Sequence, residues 1–294
     1  MRQGRYYLGR VVKLGRLTQD MVVDSILDSP IISVGKFAWA VTDAVDMRQH
    51  SFPFVYGKLS KFAQEGPVRK VDVVAKAQVD EIHENLLIAS SPFVYLPEYS
   101  GVAYLHVWNE IQEEVFPRRL QTIIEAAYQN FFVQCKIEAI SDYSSFISKI
   151  NELDRFTQIS AKVHPPNPLF GRLWRSLENY INGRNVDEFL VRETSPEGTG
   201  LNTDIFLLMH NLLTNSEYVP DDPPTLTDAA LLMAADGYGS GKVVGIGNGR
   251  IVVVHTSETK RNFQFDKDPS PELLAKRAWQ EFIEINRERD MEHE

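Results

Sequence analysis

The chain has 294 residues, 43% of them hydrophobic and 24% charged, with a formal net charge of −9 and a single cysteine. This is the composition of a folded globular protein with a sizeable core, which excludes a largely disordered chain. A lone cysteine excludes an internal disulfide and a thiolate metal cluster.

No apolar run approaches the roughly 18 residues that cross a bilayer, and the start of the chain, Met1–Tyr7, has no apolar leader core, so the reading is a cytoplasmic protein with no membrane partner. The charge is uneven, +5 over residues 1–76 and −14 over residues 77–294. Arg2, Arg5, Arg10, Lys13 and Arg16 precede the first acid, Asp20, and Tyr6 and Tyr7 stand among them. Such a strand is a candidate nucleic-acid contact, its cations on phosphates and its rings on bases. The alternative is a solvated edge strand whose charges prevent edge-to-edge pairing.

β-branched and aromatic residues predict strands at 6–14, 52–58, 68–77, 86–89, 93–96 and 102–108. One early helix, 18–27, is stopped by Ser29-Pro30. After Trp108 the apolar period becomes helical: Leu120, Ile123, Ile124, Ala127 and Phe131 share one face. A strand at 133–140 follows and contains Cys135, read as a buried inert thiol. Asp142 then caps a helix carrying Phe146, Ile147, Ile150 and Leu153, and 156–163 reads as a strand. The order β-α-β-α-β over 102–163 suggests a compact unit with helices on one face.

His164-Pro-Pro-Asn-Pro168 forbids regular structure and marks a domain boundary. It separates a mixed α/β domain, 1–164, from a mainly helical domain, 165–294. Asn167 and Pro168 are expected to open a helix with Phe170, Leu173, Trp174, Leu177 and Ile181 inward, ending at Asn182-Gly183. Further helices are predicted at 204–213, 226–235 and from Pro271 onward. The fold class is α+β: a β-rich N-terminal part, a central β-α-β-α-β unit, and a helical C-terminal part with a glycine-rich β-hairpin.

That hairpin is the most informative stretch, Asp236-Gly-Tyr-Gly-Ser-Gly-Lys-Val-Val-Gly-Ile-Gly-Asn-Gly-Arg250. Val243 stands where a phosphate loop needs Ser or Thr after Gly-Lys, and the glycine spacing fits neither a dinucleotide fingerprint nor a nucleophile elbow. Asn248-Gly249 is the preferred pair of a two-residue hairpin turn. Gly245 and Gly247 leave one strand face bare, either for a ligand or for another backbone. The candidate ligand-binding residues are Gly237, Gly239, Gly241, Gly245 and Gly247.

Glu258-Thr-Lys260 after the hairpin, with Asp236 before it, has the order of a metal-dependent nuclease, in which the carboxylates hold magnesium and the lysine orients water. A Glu-x-Lys triplet is also expected by chance at this composition. Asp80-Glu-Ile-His-Glu84 lacks the spacing of a zinc site and reads as a polar turn or short helix. Outside the nuclease alternative no cofactor or metal is called for.

The succession His164-Pro-Pro-Asn-Pro, Gly200-Leu-Asn and Asp236-Gly-Tyr-Gly, followed by a glycine hairpin, resembles bacterial proteins of unknown-function families encoded near phage-defence or mobile-element genes. The resemblance covers the C-terminal half, implies a role in intracellular defence and transfers no catalytic residue. Three functions therefore stand open. The first is a binding protein contacting nucleic acid or a protein partner in a defence-type system. The second is a magnesium-dependent nuclease using Asp236, Glu258 and Lys260. The third is an acidic structural or assembly subunit, for which homo-oligomerisation is open. The absence of an intact catalytic signature points away from an enzyme.

Overall fold

A computed structural model describes every residue except 1–2, 167–168, 197, 216–217, 219, 221, 290 and 294. The expected contact at Arg2 and the helix start at Asn167-Pro168 therefore lie outside the described residues. In chain order the first elements are β1 (Gln3–Gly15), α1 (Gln19–Leu27), β2 (Ile32–Val34), β3 (Phe37–Met47), β4 (Phe54–Asp72), β5 (Ala77–Leu96), β6 (Gly101–Leu105), α2 (Val115–Ala127), β7 (Val133–Ala139), α3 (Tyr143–Ile150) and β8 (Arg155–Val163). Then come β9 (Leu169–Gly171), α4 (Arg175–Gly183), β10 (Phe189–Thr194), α5 (Ile205–Thr214), α6 (Leu226–Met233), β11 (Gly239–Gly247), β12 (Arg250–His255), β13 (Asn262–Asp266), α7 (Pro271–Glu288) and β14 (Met291–His293). The protein is α+β.

An eight-stranded antiparallel sheet runs β13-β1-β6-β5-β4-β3-β2, with β7 also on β1. Period-two alternation along β1 divides its side chains between two cores. Tyr7 and Val11 pack with α1 and α2, whereas Tyr6, Leu8 and Val12 face the layer built by α3 to α7. Thr18 caps α1 by accepting from the Met21 amide, and Asp142 caps α3 from the Ser145 amide, as their positions predict. A second sheet, β10-β8-β11-β12, rests its inner face on α6, and both sheets share one hydrophobic cluster.

Several expectations are corrected. β1 is a central strand rather than an edge, because β13 pairs with its first half and β7 with its last. The 102–163 stretch has the predicted elements in the predicted order, but β6 and β7 flank β1 while β8 belongs to the second sheet. Local periodicity reports faces and is blind to pairing partners. The proline run does not separate two bodies either, since β8 pairs with β10 and β11 from beyond it. The helix expected after Pro168 begins at Arg175, because Leu169–Gly171 is taken as a strand by β14. The stretch 80–84 is strand within β5, not a turn or helix.

The strand expected at 52–58 lies in β4, while the one expected at 68–77 is broken by a turn at 73–76 that joins β4 to β5, whose hairpin runs on past the end of β3. The last β3 pairing is Phe37 with Ala63, yet β4–β5 pairing continues to Asp72–Ala77. Among the described residues no helix is long and apolar enough to cross a membrane.

Candidate functional site: a cationic sheet face

The basic N-terminal residues do not form one surface. Alternation along β1 sends Arg5 and Lys13 to one side and Arg10 to the other. Arg10 and Tyr6 are fully buried and Tyr7 nearly so. Lys13 donates to Gln19 Oε1 (2.8 Å) and Ser100 Oγ (2.6 Å), and burial pulls its ammonium pKa down to about 8. Arg16 lies over the Phe132 ring at 5.0 Å. The expected nucleic-acid strand is thus corrected: among its described cations only Arg5 and Arg16 stand exposed.

Arg10 belongs to a buried polar hub with Asp236 and Arg289. Its Nε donates to the Asp236 carbonyl (2.8 Å) and its Nη1 to the Tyr99 carbonyl (2.7 Å). The Asp236 carboxylate accepts from Arg289 Nη1 (2.7 Å) and the Tyr143 hydroxyl (2.7 Å) on one oxygen, and from Trp174 Nε1 (2.9 Å) on the other. Burial lowers the Arg10 pKa, and burial next to Asp236 drives the Tyr143 hydroxyl well above its ordinary value. A buried charge is tolerated when it is paired and hydrogen-bonded, and each oxygen here has a donor. Gly237, at φ 89°, closes the turn after α6 against Arg10 and Ile140.

Asp236 is therefore a structural anchor, and the nuclease constellation does not assemble. Glu258 and Lys260 line an open polar groove of about 1220 Å³ that Asp236 does not reach. Glu258 pairs with Lys149 (2.9 Å) and Lys260 with Glu114 (3.1 Å). Arg261 and Arg277 in the same groove are also tied to acids. Among the described residues no group of three His, Cys, Asp or Glu side chains is placed to hold a metal ion.

The hairpin forms as predicted, with Asn248 and Gly249 both at positive φ (51° and 71°). The bare face of β11 is filled by its own chain. A Cβ on Gly239 would strike the Lys162 carbonyl, and one on Gly245 would lie 2.6 Å from the Arg155 carbonyl. At Gly247 it would meet the Glu152 carbonyl, and at Gly241 the side chain of Leu231 in α6. These glycines, expected as ligand-binding, allow β8, the 152–155 turn and α6 to approach.

The opposite face of the same sheet is open. The register aligns one row across all four strands: Arg192 of β10, Ser160 of β8, Lys242 of β11 and His255 of β12. Beside it lies Leu190–Lys162–Ser240. With strands about 4.8 Å apart, the first row spans roughly 15 Å. Both rows line a shallow cavity of about 420 Å³. No aspartate or glutamate projects from this face among the described residues, in a chain of net charge −9. Glu188 sits just beyond the rim, 2.6 Å from Lys162, whose hydrogen bond lowers the Glu188 pKa. Arg192 is oriented by Gln158 at 2.8 Å. The row escapes a linear reading because its members come from four separate segments. A partial signal exists in Gln158-x-Ser160-x-Lys162 and Ser240-x-Lys242, polar positions alternating with buried ones.

Comparison with protein-family models and with curated proteins finds no match.

Proposed function

We propose that this is a cytoplasmic binding protein whose outer sheet face takes the phosphate backbone of a single-stranded nucleic acid. The observation that carries this reading is the acid-free row Arg192–Ser160–Lys242–His255 with Lys162 beside it. An open antiparallel sheet backed by helices offers a flat platform for an extended strand, and fixed cations there replace condensed counterions. Among the described residues the face has no Phe, Tyr or Trp for base stacking and only the His255 ring, so recognition is chiefly of backbone, with little sequence preference. A role in a bacterial defence-type system rests on the short-motif resemblance; the residues carrying that resemblance, such as Asp236 and Gly239, build the core.

The test is equilibrium binding of labelled single-stranded RNA and DNA across a salt series. Three neutralised phosphates on a single strand give a slope of log K against log salt of about −2. The triple variant Lys162→Ala, Arg192→Ala, Lys242→Ala is expected to bind more weakly, with a slope near zero. Equal binding by the triple variant, or none by the parent protein at low salt, overturns the proposal.

A further inference from the structure

The β4–β5 hairpin has an outer part that the nucleic-acid reading does not use. Beyond Ala63, pairing proceeds from Glu65–Glu84 to Asp72–Ala77 with no third strand among the described residues. Nine residues from Ala63 to Asp72 carry it about 30 Å past the sheet. A two-stranded hairpin alone is marginal in water, and this one is held at the surface by the ion pairs Arg69–Asp80 and Lys70–Glu81. Its apolar side chains nevertheless face solvent: Val73 is 81% exposed, Val74 96% and Ile82 77%. Asp72 fixes the tip by accepting from the Val74 and Ala75 amides, both 2.9 Å.

A matching surface lies at the other end of the same sheet. Tyr6 of β1 pairs with Leu105, and the arm continues β5 outward past that end, beyond His106. β1 finishes at Gly15, where Arg16 donates to the Phe132 carbonyl. There Phe131 (69% exposed) and Phe132 (60%) pack edge to face beside Arg16 and Met21, around a cleft of about 910 Å³. Charge favours this pairing over others. Residues 65–84 carry five acids against three Lys or Arg, which disfavours nucleic acid and anionic membrane as partners. Arg16 is the one charged residue lining the cleft among those described, opposite in sign to the net −2 of the arm, whose tip carries Asp72 and Lys76.

We infer that the arm tip of one molecule, Val73 and Val74, seats in the Phe131–Phe132 cleft of a second copy, so that copies associate head to tail. Donor and acceptor are different surfaces at opposite ends of the molecule, which makes the contact heterologous and able to propagate into rings or open chains. Repetition would place successive cationic sheet faces along one polymer, although self-association stands without the nucleic-acid reading.

Sedimentation velocity over a concentration series, without nucleic acid, tests it. The parent protein is expected to form species larger than dimers. The tip variant Val73→Asp, Val74→Asp and the cleft variant Phe131→Asp, Phe132→Asp alter only exposed side chains and are each expected to be monomeric, with unchanged circular dichroism. Mixed one to one, they retain one intact tip and one intact cleft, so the mixture is expected to yield dimers and nothing larger. A monomeric parent at about 100 μM, association that survives either variant, or a mixture that stays monomeric overturns the inference.

Discussion

Asp236 shows how a residue that resembles a catalytic acid can be committed to folding. Its two carboxylate oxygens receive an arginine, a tyrosine and a tryptophan, and its carbonyl receives a second arginine. Replacing Asp236 with Asn keeps the volume but turns one acceptor into a donor facing other donors, with Arg10 and Arg289 left buried. The expected loss is about 3–5 kcal/mol, read from denaturant midpoints; a loss below about 1 kcal/mol is incompatible with the hub as described. Lys13 makes a pH prediction. Its pKa falls from 10.5 unfolded to about 8 folded because burial disfavours the charged form. Between these values the unfolded chain binds more protons, so this group makes stability rise with pH, by at most about 1.4 kcal/mol per unit. Cys135, raised by burial, acts oppositely once a free thiol ionises near 9, and Tyr6, Tyr95 and Tyr104, raised likewise, once free tyrosine ionises near 10, leaving pH 8 to 9 as the window. Stability of the parent protein should climb across that window, and Lys13→Met should flatten the climb.

At the scale of elements, the glycine hairpin sorts steric demand from mere flexibility. Gly239→Ala places a methyl into the Lys162 carbonyl of the neighbouring strand, which backbone cannot vacate cheaply, so the stability read from denaturant midpoints should fall by about 1–3 kcal/mol. Gly183, at the end of α4, has nothing within 4 Å of an added Cβ. Gly183→Ala should stabilise by up to about 0.5–1 kcal/mol through helix propensity. If both substitutions behaved alike, close packing would not be the reason for the glycines in β11. The turn itself was legible from Asn248-Gly249, and so were the helix caps at Thr18 and Asp142, because these depend on neighbours within a few residues. β13 was missed even though Phe263 and Phe265 alternate with polar residues, since five residues carry too little pattern to be read before their partner, β1, is known.

Across the whole molecule, the segment before the proline run does not form a body of its own. β8 receives partners on both sides from later sequence, and β1 pairs with β13 more than 250 positions away. A fragment ending at residue 164 should therefore fail to unfold cooperatively in urea, whereas an independent domain would give a sharp transition. The charge asymmetry of the sequence is likewise reorganised: Arg10 leaves the surface for the core, and the open cationic face is assembled from β8, β10, β11 and β12.

The sequence alone determined the α+β class, most helices with their caps, the tight hairpin turn and the failure of the glycine stretch to match phosphate loops. Each follows from short-range periodicity, capping chemistry or backbone freedom. Only the tertiary structure decided what the glycines face, that Asp236 is sealed among donors, that the arm runs free of the sheet, and that Arg192, Lys242 and His255 share one row. Strand register brings together residues far apart in the chain, and a one-residue shift of register would send each of those side chains to the opposite face.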